Sequence, residues 1–194
     1  MRRACVAALA AALVLTACGK KEDSGSSGGS SPSTPASSVN PSGLDGSKDL
    51  SAEFKKLMET TYATAKDNPS KLGEILKTFV LPDHDAWFRK TFNEEMAKAF
   101  EQRYAEQGPK LESEMVPLWT DKLVKDGQSD IRVFCLTDPN DGNATGLQKD
   151  ALQSMKTKTP IYTVKFRKPG EELGMSVWSW AYVDGGFRFI GKGK

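Results

Sequence analysis

Between residues 49 and 127, apolar side chains recur every three or four positions, which is the pattern of helices that bury one face. The first predicted helix begins at Asp49 or Ser51 and is stopped by Asp67-Asn68-Pro69. Four further helices follow, with the apolar positions Leu72, Ile75, Leu76, Phe79 and Val80; Trp87 and Phe88; Met96, Phe100 and Tyr104; and Leu111, Met115, Leu118, Trp119 and Leu123. Residues 49–127 are therefore predicted to be helical.

Polar and special residues mark the ends of these helices. Asp83 and Asn93 are expected to cap the third and fourth helices, because their side chains can accept a hydrogen bond from the first turn. Gly127 is the expected C-terminal cap of the fifth helix. Pro117 should kink that helix or mark its true start.

From residue 131 onwards the pattern changes to the alternation typical of strands. Strands are predicted at 131–136, 161–167, 175–183 and 187–190, and a short helix at 146–155 lies between the first two. Helices first and an antiparallel meander last predict an α+β fold, with the N-terminal helices packed on a sheet of about four strands.

A tight turn is predicted at Asp184-Gly185-Gly186 between the last two strands. A two-residue turn at Asp184-Gly185 places Tyr182 opposite Phe187, whereas one at Gly185-Gly186 places it opposite Phe189. Both registers pair aromatic side chains with each other, and cross-strand aromatic pairs stabilise a sheet.

Strict alternation assigns the residues of this hairpin to two faces. The aromatic face carries Trp178, Trp180 and Tyr182, with Tyr162, Val164 and Phe166 from the neighbouring strand. The opposite face carries Val177, Ser179, Ala181 and Val183, and the cations Lys165, Arg167 and Arg188. We expect the aromatic face to meet the helices. The cations either hold an anionic ligand or partner or lie on a solvated face.

The hairpin from Ser176 to Phe189, with its aromatic strands and Asp-Gly turn, resembles the closing hairpin of nuclear transport factor two-like domains in the cystatin-like cone superfamily. The resemblance covers about the last third of the chain. It implies helices packed on a curved antiparallel sheet, often around a pocket. It implies no single activity, because the family includes enzymes, ligand binders and assembly modules.

The aromatic residues of this hairpin are the candidate ligand site. They are Trp178, Trp180, Tyr182, Phe187 and Phe189. One hypothesis is that they line a concave, mostly apolar pocket for a small apolar molecule. The alternative is a filled core, since the predicted helices supply further rings to pack against them.

The N-terminus has the three parts of a bacterial lipoprotein signal. Met1-Arg2-Arg3 precedes an apolar run over 4–17, whose 14 residues fall short of the roughly 20 that a membrane-spanning helix needs. Leu15-Thr16-Ala17-Cys18 then resembles the lipobox of bacterial lipoproteins. The resemblance implies cleavage after Ala17 and a lipid on Cys18. Two or more acyl chains would anchor the protein stably to a membrane.

The signal divides the chain into three parts: the signal peptide at 1–17, the lipidated cysteine with a Ser/Gly/Pro-rich linker at 18–48, and one globular domain at 49–194. The linker is expected to be disordered, because it has almost no apolar surface to bury. A location in the cell envelope follows. Gly19, where an aspartate would mark retention in the inner membrane, favours the outer membrane facing the periplasm.

Charge and cysteine content limit the partners. The formal charge of the whole chain is +2, and loss of Arg2 and Arg3 with the signal leaves a neutral mature chain, which argues against nucleic acid. Cys5 also leaves with the signal, so Cys135 is the remaining thiol and cannot form an internal disulfide. We expect Cys135 to be a small buried hydrophobe on its strand. The sequence does not predict an oligomeric state.

His84 is the one histidine of the chain, so acid–base catalysis of the familiar kind would use it together with Asp83 or Asp85. The alternative is that both acids cap the start of a helix. No second histidine and no cysteine pair accompany it, so neither a metal nor a cofactor is expected. Asp138–Asn143 fails as a calcium loop because its twelfth position is Lys149, and a turn accounts for it better.

The leading hypothesis is a membrane-anchored envelope lipoprotein with a non-catalytic domain that binds a ligand or an envelope protein. One alternative is a small nuclear transport factor two-like enzyme that uses His84 with Asp83 or Asp85. Another is a structural partner of an envelope complex.

Overall fold

A computed structural model describes residues 43–191, including the backbone but not the side chain of Trp178. The predicted signal, Cys18 and most of the predicted linker lie outside the described residues. All the described residues belong to one compact unit, Ser37–Lys194.

The helices follow the predicted order. They are α1 Ser51–Asp67, α2 Leu72–Lys77, α3 His84–Thr91, α4 Glu94–Gln107, α5 Leu111–Pro117 and α6 Gly146–Ser154. Short 3₁₀ turns at Pro69–Lys71 and Gly108–Lys110 lead into α2 and α5. Pro117 does not begin the fifth helix. The α-helical hydrogen bonding ends there and a π-helical segment, Leu118–Val124, continues the chain. Proline has no N–H to donate, which explains a change of bonding pattern near it.

Two of the predicted caps are confirmed. Asn93 begins α4 by accepting a hydrogen bond of 2.9 Å from the backbone N–H of Met96. Gly127 has a φ of 68° after the π-helical segment, and the N–H of Gln128 donates to the carbonyl of Leu123 at 2.8 Å. This is a Schellman ending, for which glycine is favoured.

The predicted cap at Asp83 is wrong. Asp83 does precede α3, but its φ of 44° is left-handed and its side chain makes no capping hydrogen bond. Asp49 likewise lies just outside its helix, since Leu50 holds the position before α1. The Asp49 carboxylate accepts from the N–H of Ser51 at 2.9 Å, which fixes the turn that enters the helix.

The described strands form an antiparallel meander in the order β1-β2-β3-β4. Their bounds are β1 Asp130–Leu136, β2 Ile161–Arg167, β3 Gly174–Val183 and β4 Gly186–Phe189. Helices packed on this sheet confirm the α+β class. The first of the two predicted hairpin registers is also confirmed, because Tyr182 lies opposite Phe187. Asp184 and Gly185 both have positive φ, as a two-residue turn between twisted strands requires.

A β-bulge interrupts the predicted alternation in β3. Tyr162 is paired with Trp180 and Val164 with Val177, so β3 holds one residue more than β2 across this interval. Ser179, inside the bulge, has a left-handed φ of 64°. The assignment of Val177 to the face opposite Trp180 is therefore wrong, since the extra residue returns Val177 to the same face.

Helices cover both faces of the sheet, so the prediction of a single helix-covered face is also wrong. On the first face, side chains of α1, α2 and α5 pack with Tyr162, Phe166 and Trp180. On the second face, α3, α4 and α6 pack over small or branched residues, among them Ile161 and Ala181. Both clusters are apolar, and each stabilises the sheet by burying one of its sides.

Candidate functional site

The predicted aromatic site is closely packed. Trp180 and Phe187 have no exposed surface. The ring of Phe54 from α1 stacks on Phe187 with a centroid distance of 4.4 Å and lies 5.3 Å from Trp180. Phe79 meets Trp180 edge-on at 5.0 Å. Rings from α1 and from the turn after α2 thus occupy the space beside the strands, and the filled-core alternative fits this packing better than an open pocket does.

Tyrosine hydroxyls at this site hold the chain that leads into α1. The hydroxyl of Tyr162 accepts from the N–H of Leu50 at 3.1 Å and donates to the carbonyl of Lys48 at 3.2 Å. The hydroxyl of Tyr182 accepts from the N–H of Leu44 at 3.3 Å. Residues 44–48, which the sequence placed in the linker, are therefore bound to the folded domain. No local pattern in the sequence indicates these long-range bonds.

His84 lies at the surface, at the first position of α3. Its Nε2 is 3.2 Å from Oδ1 of Asp85, and about a third of the imidazole side chain is exposed. The ring rests 4.9 Å from the ring of Tyr104, whose hydroxyl accepts from the N–H of Leu81. Asp83 and Asp85 are both exposed. This placement does not favour the enzyme alternative, which requires His84 to face a pocket beside the aromatic strands.

Cys135 is half-buried beside the first core cluster. Burial, with the negative charge of Asp49 nearby, raises the pKa of the thiol to about 11. The thiol is therefore protonated at neutral pH, and a protonated thiol is a poor nucleophile. This agrees with the prediction of an apolar rather than a reactive cysteine, although burial is less complete than expected.

The turn after β1 is stabilised by its own side chains. Asp138 accepts from the N–H of Asn140 at 2.8 Å, and Asp141 accepts from the N–H of Asn143 at 2.7 Å. These are Asx turns, which need no ion to form. Within residues 43–191, no group of three His, Cys, Asp or Glu side chains is placed to hold a metal.

A cleft of about 540 Å³ is lined by charged residues of α3 and α4 and by Lys156. Arg89 forms a bidentate ion pair with Glu101, in which Nε donates to Oε1 at 2.7 Å. The side chain of Lys156 donates to the backbone carbonyl of Arg89 at 3.1 Å. Arg89 and Glu101 of the cleft thus neutralise each other. A smaller notch of about 270 Å³ between α5 and β4 includes Phe189, one of the predicted pocket residues, together with Leu111 and Met115.

Polar residues occupy the other end of the second sheet face. Arg132 on β1 lies directly opposite Lys165 on β2, and Lys165 lies opposite Ser176 on β3. Two residues further along, on the same face, Asp130 lies opposite Arg167. Arg132, Lys165, Arg167 and Ser176 therefore share one face across three strands, and we call them the basic row.

Burial and charge differ along the basic row. Arg167 is only 7% exposed, and its Nη2 donates to the Asp130 carboxylate. That hydrogen bond lowers the pKa of Asp130, with a further contribution from the charge of Arg132, whose Nε lies 3.8 Å away. Lys165 is half-buried and Arg132 is exposed. Two arginines of the row thus share one carboxylate.

Arg188, the third predicted cation, does not belong to the basic row. It lies on β4 opposite Ala181, and its Nη1 donates to the carbonyl of Thr78 after α2. The third cation of the basic row is instead Arg132. The sequence prediction missed it because it considered the cations of β2 and β4 only. The antiparallel register of β1 against β2 was the signal that could have found it.

Comparisons of the chain with protein-family models, with curated proteins and with solved structures find no match. Among residues 43–191, none of the helices is long and apolar enough to cross a membrane.

Proposed function

We propose that this protein is a lipoprotein of the bacterial cell envelope, held by a lipid on Cys18 and facing the periplasm from the outer membrane. The observation that carries the proposal is the sequence Leu15-Thr16-Ala17-Cys18 at the end of a short apolar run that follows two arginines. The domain attached to this anchor is a non-catalytic binding module that acts through its outer surface.

The packing of the domain supports a surface role. Two aromatic side chains of the hairpin, Trp180 and Phe187, are fully buried in the core. His84 and its acidic neighbours lie at the surface. Function in such a domain is supported best by the groups that remain exposed or half-buried, of which the basic row is the most concentrated cationic set on the sheet.

The first core cluster also supports a spacer role for the segment before Leu44. The hydroxyls of Tyr162 and Tyr182 bind the chain at residues 44–50, so the tether proper runs from Cys18 to about residue 43. A flexible tether of about 25 residues has a root-mean-square reach of about 25–30 Å. The domain would thus remain close to the phospholipid surface.

The likeness to nuclear transport factor two-like domains remains a proposal that rests on the aromatic hairpin at 176–189. The antiparallel meander is compatible with it. Helices on both faces of the sheet differ from the open cone that the likeness implies.

Metabolic labelling in a Gram-negative bacterium tests the anchor. Labelled palmitate should enter the wild-type protein and the Cys135→Ala variant, but not the Cys18→Ala variant. The first two should sediment with outer-membrane vesicles, whereas Cys18→Ala should accumulate as an unprocessed or mislocalised precursor. Equal labelling of all three proteins, or labelling of none, would overturn the proposal.

A further inference from the structure

We infer that the basic row is a binding site for a phosphate group, carried by a soluble molecule or by a phospholipid head. The inference rests on the proposed function, because it names the ligand class of the proposed binding module. It does not depend on the lipid anchor itself.

The register of the sheet places like charges side by side. Arg132 and Lys165 are direct cross-strand neighbours on one face of the sheet. Like charges directly opposite each other destabilise a strand pair, unless an anion lies between or above them. An acid at the third position of the same row would neutralise them, but the chain has Ser176 there. The row therefore consists of hydrogen-bond donors on all three strands.

The positive charge of the basic row is only partly compensated by nearby acids. The Asp130 carboxylate is engaged by Arg167 and lies 3.8 Å from the Nε of Arg132, so one acid serves both arginines. The Nε of Arg167 is buried and has no hydrogen-bond partner among the described residues. A buried donor without a partner is costly, and such groups are rare in folded proteins. An incoming anion would supply negative charge that the single Asp130 carboxylate does not provide.

Part of the basic row is accessible to a ligand from solvent. The helices of the second face reach as far as Thr163, where Nε2 of Gln148 on α6 donates to the threonine hydroxyl at 2.5 Å. Thr163 is consequently buried, whereas the next position of β2 on this face, Lys165, is half-buried and Arg132 beside it is exposed. The helical cover ends at Thr163, so a ligand can approach Arg132 and Lys165 from this side, whereas Arg167 beyond them is buried.

The chemistry of the donors points to phosphate rather than to a lone carboxylate. Guanidinium groups match the oxygens of phosphate with two parallel hydrogen bonds, and lysine adds a compact positive charge. Neighbouring strands lie about 4.8 Å apart, which brings donors of three strands within reach of one tetrahedral group. The surplus of positive charge in the row favours an anionic phosphate group, whether the group is free phosphate or the singly charged diester of a phospholipid.

The binding test uses the full chain, purified from membranes in an uncharged detergent. Inorganic phosphate and dihexanoyl phosphatidylglycerol are titrated separately by calorimetry at constant ionic strength. Wild-type protein should bind saturably. Binding of both probes identifies the phosphate group as sufficient, and binding of the lipid alone identifies a lipid head. Binding of neither probe overturns the inference.

Paired variants separate the basic row from general charge. Arg132→Ala with Lys165→Ala should weaken binding at least tenfold. Lys66→Ala with Lys71→Ala removes the same charge from exposed positions outside the row and should leave binding unchanged. Equal weakening by the two pairs would overturn the inference.

A second variant guards against loss of fold. Lys165→Glu replaces the like-charge pair with an ion pair to Arg132, so it should fold at least as well as the wild type and should not bind phosphate. Phosphate binding that survives in folded Lys165→Glu would overturn the inference. Failure of these titrations with Cys18 lipidated leaves the anchor in place, whereas unmodified Cys18 with intact phosphate binding rejects the anchor alone.

Discussion

The ring of Phe54 stacks on the ring of Phe187, with centroids 4.4 Å apart and an angle of 26° between the planes. The contact joins α1, at the start of the folded domain, to β4, near its end. Trp180 and Tyr162 lie edgewise or tilted around the pair. Because each of these rings is in contact with the next, they contribute to the stability of the core.

Truncation of Trp180 should therefore be severe. Trp180→Ala removes a fully buried ring that contacts Phe54 and Phe79, and we expect a loss of about 3–5 kcal/mol in the free energy of unfolding. Ser179→Ala removes only a hydroxyl and should cost less than about 1 kcal/mol. Urea denaturation of both variants measures the difference. Similar losses in the two variants would mean that the ring does not lie in the core.

The bulge in β3 makes a separate prediction at Ser179. Its φ of 64° is strained for a residue with a side chain, and the cost is largest for β-branched residues. Ser179→Gly should change the free energy of unfolding by less than about 1 kcal/mol in either direction, because relieved strain offsets the added flexibility of the unfolded chain. Ser179→Val should lower it by about 1–3 kcal/mol. A stable valine variant would show that β3 has no left-handed residue there.

Gly174 makes a third prediction, at the start of β3. A methyl group on this residue would overlap the carbonyl oxygen of Phe166 and press on the side chain of Arg167. Gly174→Ala should lower the free energy of unfolding by about 1–3 kcal/mol and displace the side chain of Arg167 at the end of the basic row. Gly142→Ala is the matched control, since a methyl there meets nothing within 4 Å. Thermal unfolding of the two variants decides it, and equal transition temperatures would contradict the close approach of β2 and β3.

The buried thiol and tyrosines predict a loss of stability in alkali. Burial raises the pKa of Cys135 to about 11, and it also raises the pKa values of Tyr104 and Tyr162. An unfolded thiol ionises near about 8.5, so unfolding releases a proton between that pH and 11. The contribution of Cys135 is thus fully present below about pH 8.5 and is lost as the pH rises towards 11.

Urea denaturation at a series of pH values measures this loss, with Cys135→Ala as the comparison. The variant should lose less stability than the wild type between pH 8.5 and pH 10. Thiolate absorbance that rises near pH 8.5 in the folded protein would contradict a protected thiol.

Most helices and strands could be predicted from the sequence, because their period and end signals are local. The Asn93 cap and the Asp184-Gly185 turn each depend on residues a few positions apart. The bulge could not be predicted in this way. Serine is not diagnostic of a left-handed φ, and the extra residue in β3 is evident only from its pairing with β2.

The candidate site was less predictable than the fold. Lys165 and Arg167 were identified as a cationic face, but Arg132 joins them only through the β1–β2 register. Arg188 lies on the predicted face of β4, but its guanidinium donates to the carbonyl of Thr78 and does not join the basic row. Small apolar residues such as Ala181 indicate that helices also cover the second face. The stronger aromatic pattern on the first face obscured this signal.

We propose above all that Cys18 carries the lipid that holds this domain at the cell envelope. The most direct measurement is mass spectrometry of the N-terminal peptide of the mature protein purified from membranes. We predict a peptide that begins at Cys18 and carries a diacylglyceryl thioether and an acylated amine. A mature N-terminus at any other residue, or an unmodified Cys18, would contradict the account.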